Sequence, residues 1–230
     1  MPKRFAIALL YLFLAAPCCF AQSPTANASQ LPKVRTVTAF VRLDRPTYQA
    51  QLSEALKMLQ TAKDALTKAG YEVETIRITT QPFPEYTKGL TADQALEFFR
   101  AFDKLAQQQN FTPDIGPAMT KDSDDPKQAD LLARILAETQ TINGFVVVAD
   151  DAGIHWKGVR AAAGVIKYLE EHTTHSEGNF HFAAGAFPPA VAPFFPVSHT
   201  SDAGHGFAIG LESANIVQQV FANAKGDLSA

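Results

Sequence analysis

Cysteine is almost missing: the 230 residues hold two, adjacent at Cys18 and Cys19. Both fall in a segment that reads as a leader, so the expected mature chain has none. That excludes disulfides, a cysteine nucleophile and thiolate metal ligands. Long apolar runs are scarce too. The longest, Phe5 to Ala16, has twelve residues, short of the roughly 20 that a spanning helix needs. No basic run exists either. The formal net charge is −3, from 20 basic and 23 acidic residues. Loss of Lys3 and Arg4 with the leader leaves 18 minus 23, or −5. A mildly acidic chain of this kind is a poor partner for nucleic acid or an anionic membrane. The sequence also lacks GxGxxG, GxxxxGK[ST], HExxH and GxSxG. Phosphate cradling by the usual loops and standard serine hydrolysis are thereby disfavoured.

What is present begins with that leader. Lys3 and Arg4 precede the apolar run, Pro17 breaks it, and the small residues Cys19 and Ala21 suit signal peptidase. Residues 1–21 therefore read as a signal peptide cleaved after Ala21, which implies a secreted or periplasmic protein. Gln22 to Pro32 is small, polar and proline-punctuated, as a disordered linker is. Residues 33–230 are expected to form a single α/β domain, long enough for a sizeable core.

Strand and helix patterns alternate through that domain. Val34 to Val41 reads as a strand, and Pro46 opens a helix that Gly70 stops. Tyr71 to Thr79 alternates Val73, Ile76 and Ile78 with polar residues. Thr91 and Gln94 form a capping box for the next helix. A short third strand is expected near Phe111 to Ile115. The acidic stretch Asp122-Ser123-Asp124-Asp125 lacks the glycine and distal glutamate of a calcium loop, so it reads as the start of a helix from Pro126 to Thr139. Gly144 to Ala149 is continuously apolar, as a strand buried on both faces is. A helix from Trp156 to His172, a fifth strand from Asn179 to Phe187, an irregular stretch from Pro188 to Gly204 and a last helix from Phe207 to Ala224 complete the pattern. The fold class is α/β, with a five-stranded mostly parallel sheet and right-handed crossovers.

Ligands of parallel sheets collect at the carboxyl ends of the strands, which selects the candidate site residues. Arg42 and Arg77 close neighbouring strands and together suit a carboxylate or phosphate. Surface ion pairs of Arg42 and Arg77 with Asp44 or Glu85 explain them almost as well. Asp150 and His155 follow the fourth strand as metal ligands or as a base oriented by a carboxylate. Against that, Asp151 capping the next helix with His155 on its exposed first turn is the favoured reading. His199, Asp202 and His205 share a glycine-containing loop and form a candidate divalent-metal set. The catalytic candidates are thus Arg42, Arg77, Asp150, His155 and His199. His181 reads equally well as a core histidine within strand five.

Several segments carry a family resemblance: Thr75-Ile76-Arg77-Ile78-Thr79-Thr80-Gln81-Pro82-Phe83, Ile115-Gly116-Pro117-Ala118, Gly178-Asn179-Phe180-His181-Phe182, Pro193-Phe194-Phe195-Pro196-Val197-Ser198-His199 and Phe207-Ala208-Ile209-Gly210-Leu211-Glu212. Together they resemble the domain of unknown function (DUF) 711 family. The resemblance implies a barrel like that of pyruvate formate-lyase, ten strands in two five-stranded halves, and no established activity. Glycyl-radical chemistry does not follow, because it needs a cysteine at the barrel centre. Members of the family are longer, so five strands correspond to one half. A half-barrel leaves an edge and an apolar face open, which predicts pairing with a second copy or with a separate second half. Two functions fit: a ligand-binding or assembly module, or an exported enzyme with an Arg/Asp/His site, metal-assisted in one version.

Overall fold

The computed structural model describes residues 31–201 and 206–223. The leader, most of the linker, Asp202 and His205 lie outside the described residues.

β1 (Lys33–Val41), β2 (Val73–Thr80), β3 (Thr112–Met119), β4 (Asn143–Asp150) and β6 (Phe182–Ala186) are the five parallel strands, adjacent in chain order. Between them run α1 (Tyr48–Lys68), the single turn α2 (Phe83–Tyr86), α3 (Ala92–Gln109), α4 (Lys127–Glu138) and α5 (Trp156–His172). β5 (Gly153–Ile154) folds back on β4 as a short hairpin. β7 (Val191–Phe194) and β8 (Val197–Thr200) form a separate antiparallel hairpin. β9 (Gly206–Glu212) adds antiparallel to β1, and α6 (Ala214–Asn223) follows it. The described strands make an open sheet, with no closure into a barrel.

Crossovers of one hand between strands in sequential order place every connecting helix on the same face. The packing bears this out. Val37, Ala39, Ile76, Ile78, Ile115 and Val146 from the strands share one core with Leu52, Leu59, Phe99, Phe102, Leu132, Ile135 and Leu169 from the helices. Phe83 and Phe99 meet edge to face at 5.6 Å. Local signals hold where the sequence is most explicit. Gln94 N donates to Thr91 Oγ1 while Thr91 N donates to Gln94 Oε1, completing the capping box, and α3 ends at Asn110 in the left-handed region. Gly116 has a φ of +73°, and a Cβ there would meet Gln81 O at 2.7 Å. That close approach lets β3 continue past Gly116-Pro117 to Met119, beyond the expected end at Ile115.

Three expectations need correction. The last helix does not start at Phe207: Gly206–Glu212 is β9, and only Ala214–Asn223 is helical. Phe207, Ile209 and Leu211 alternate in the strand period, and the open edge of β1 supplies the ladder that isolated residues lack. Strand five is shorter than Asn179–Phe187, because Thr174–His181 is a 3-10 segment; His181 therefore precedes the strand, with Nδ1 3.3 Å from Asn143 Oδ1. The stretch expected to be irregular contains the β7–β8 hairpin. Pro193 is tolerated there because a two-stranded ribbon has free edges.

Candidate functional site

The face of the sheet opposite the helices is polar. Strand alternation sends Thr36, Thr38 and Phe40 of β1 and Thr75, Arg77 and Thr79 of β2 to that side. Register places Arg77 beside Thr38, and Thr79 beside Asp114 of β3. The β7–β8 hairpin lies on this face, with β8 against all five parallel strands. Ser198 Oγ donates to Ala192 O at 2.7 Å, so it accepts from Thr79 Oγ1 at 2.6 Å. At the hairpin turn the Arg77 guanidinium lies 4.6 Å from the Phe195 ring centroid, a cation–π contact. His199 packs against Phe145 of β4 at 5.6 Å.

The ionisable groups of this face are poorly compensated. Asp114 is fully buried, and burial pushes its carboxyl well above the usual carboxylate range; N–H donors from Gly116 and Ser198 and the charge of Arg77 only partly oppose this. Arg77 is half-buried, and burial, followed by repulsion from Arg35, lowers its pKa. Among the described residues no carboxylate lies within ion-pair distance of it. Burial likewise lowers the His199 pKa, favouring neutral imidazole. Thr38 Oγ1, Arg77 Nε, Asp114 Oδ2 and His199 Nδ1 are all buried without a hydrogen-bond partner among the described residues. Such atoms are rare and call for an explanation.

The remaining candidates lie elsewhere. Arg77 is mid-strand, not at the end of β2, so it does not join Arg42. Arg42 donates to Glu85 at 2.7 Å in an exposed pair. It lines a cleft of about 660 Å³ at the carboxyl ends of β1 and β2, with Arg45, Lys88 and Gln81. Arg45 is spent on the carbonyls of Tyr86 and Lys88. Asp150 and His155 do come together: the β4–β5 hairpin brings His155 Nε2 to 3.1 Å from Asp150 Oδ1, and His155 is buried rather than exposed. Asp150 also accepts from Ala152 N, the main cause of its lowered pKa. Asp151 does not cap α5. Asp122 does so from across the chain, accepting from Lys157 N at 2.6 Å and more weakly from Gly158 N. Within its own loop Asp125 accepts from Lys127 N, so one acidic stretch serves two helix starts. Of the proposed metal set, Asp202 and His205 lie outside the described residues. Among the described residues no group of three His, Cys, Asp or Glu side chains is placed to hold a metal.

The family model described as "Uncharacterised ACR (DUF711)" matches residues 28–229. The chain belongs to the DUF711 family. No curated protein matches this DUF711 chain closely enough to add a relative. The matched span includes every residue of the polar face, so that face belongs to the family domain and not to an appendage. Thr38, Asp114 and Ser198 were not singled out from the sequence. The available signal was the polar alternation of β1 and β2, which a sheet covered on both sides does not require.

Proposed function

We propose that this chain is an exported ligand-binding module that takes a small carboxylic acid on the polar face beneath the β7–β8 hairpin. One observation carries the reading: Thr38, Arg77, Asp114 and His199 each bury on one face a polar atom that has no partner among the described residues. The unused Arg77 Nε–H and its neighbouring Nη–H form a fork suited to a carboxylate. Asp114, whose carboxyl burial pushes well above the usual carboxylate range, offers a donor in its protonated form. Neutral His199 offers one donor and one acceptor according to tautomer. Export follows from the basic, apolar and small-residue order of residues 1–21.

The test is thermal stabilisation of the purified protein by a panel of small mono- and dicarboxylic acids, each paired with its neutral amide. The acids should raise the melting temperature, the amides should not, and Arg77→Met should abolish the rise. No response to any acid, or an equal response in Arg77→Met, overturns the reading.

A second reading, an exported enzyme, rests on the Asp150–His155 pair at the carboxyl end of β4. Asp150 accepts from His155 Nε2–H, which leaves Nδ1 as the basic atom, and that atom is buried and unpartnered. This is how a general base is oriented. Ligand binding is favoured because, among the described residues, the pair is joined only by the backbone N–H of Ala152 and by no nucleophilic side chain.

A further inference from the structure

We infer that a second copy of this chain pairs with β9 edge to edge, about a two-fold axis at Ile209. β9 is the last strand on its side of the sheet, and among the described residues no strand pairs with its outer edge. Phe207, Ile209 and Leu211 stand beside Ala39, Val37 and Val34 on the helix-covered face. α1 covers those β1 residues, which are at most 1% exposed, whereas the three β9 side chains are between 44% and 61% exposed. α6 adds Val217, Val220 and Phe221 at i, i+3 and i+4, all more than half exposed, and none of its residues is buried. From Gly206 to Leu211 there is no charge, no proline and no lysine gatekeeper, the devices by which free edges avoid pairing.

The occupant follows from the edge itself, which carries six large apolar groups: Phe207, Ile209 and Leu211 on β9 and Val217, Val220 and Phe221 on α6. Those groups expose on the order of 500 Å² before any backbone ladder is added, approaching the roughly 800 Å² per partner of a stable interface. An antiparallel edge is also self-complementary. A two-fold axis at Ile209 sets Phe207 of one copy opposite Leu211 of the other, and Ile209 against itself. The seven-stranded sheet then runs on into its copy, with α6 of each folding toward the shared seam.

Light scattering on the purified protein at tens of micromolar should give a dimer. Ile209→Lys should give a monomer with unchanged far-UV circular dichroism. Register is read by single cysteines in a chain without Cys18 and Cys19. Ile209→Cys should cross-link across the axis on mild oxidation, and Phe207→Cys should not. A wild-type monomer overturns the inference and leaves the face for a different protein. A dimer untouched by Ile209→Lys, or cross-linking at 207 instead of 209, overturns it as well.

Discussion

Thr79 and Ser198, 119 residues apart in the chain, share a hydroxyl–hydroxyl bond of 2.6 Å that pins the β7–β8 hairpin to the centre of the sheet. Both side chains are buried, and the Ser198 hydroxyl in turn donates a hydrogen bond to Ala192 O. The bond therefore sits within a chain of donors with one direction.

Ser198→Ala strands the Thr79 hydroxyl and the Ala192 carbonyl beneath the hairpin. The expected loss is about 1–3 kcal/mol, read from the urea midpoint. Adding Thr79→Val removes the stranded donor, so the double variant should cost less than the sum of the single ones. Strict additivity would show that the two hydroxyls are not coupled.

Asp114→Asn keeps an oxygen that can accept from Gly116 N–H and removes the titration. In the folded chain the carboxyl pKa is raised by burial. Its contribution is fully present below the unfolded value of about 4 and is lost as pH rises toward the folded value. Asp114→Asn should therefore gain on the wild type as pH rises from about 4 to 8, measured as the difference in melting temperature. A difference constant with pH would mean that Asp114 does not titrate abnormally.

Gly116→Ala places a methyl 2.7 Å from Gln81 O at a φ of +73°. Strain and the clash with backbone act together, so a loss of at least about 2 kcal/mol is expected in chemical denaturation. A loss under about 0.5 kcal/mol, within the range of ordinary surface changes, would show that the β2–β3 approach relaxes freely.

Asp122→Ala removes the acceptor at the start of α5 and should cost about 1 kcal/mol, with faster amide exchange at Lys157 and Gly158. Asp151→Ala should change neither. If Asp151→Ala is the costly variant, the capping assignment is reversed.

Local elements were legible where short-range chemistry decides them. The Thr91–Gln94 box fixes the start of α3 without help from the rest of the fold, and α5 runs over the expected Trp156 to His172. β9 was not legible, because Phe-Ala-Ile-Gly-Leu-Glu suits helix or strand and only the distant edge of β1 selects the strand. The site shows the same division. Arg77 and His199 were named, but as residues near strand ends, because the position of Arg77 depends on β2 running on to Thr80. Asp114 lay in a strand bracketed by Pro113 and Pro117, which hid its length, and Ser198 lay in a proline-rich stretch that concealed a hairpin. Asp150 and His155 meet, although the favoured reading puts His155 on an exposed first turn. The turn that joins them buries the histidine, an effect of backbone path that residue spacing alone does not carry.

The ladder between β1 and β9, with Arg35 bound to Glu212 across 177 residues, also bears on the order of events in time. While the chain is being made, the outer edge of β1 has no partner until residues near 212 have emerged. Long-range closure of this kind slows folding. A nascent chain that cannot finish its sheet early leaves the β1 edge open to strands of other chains for longer.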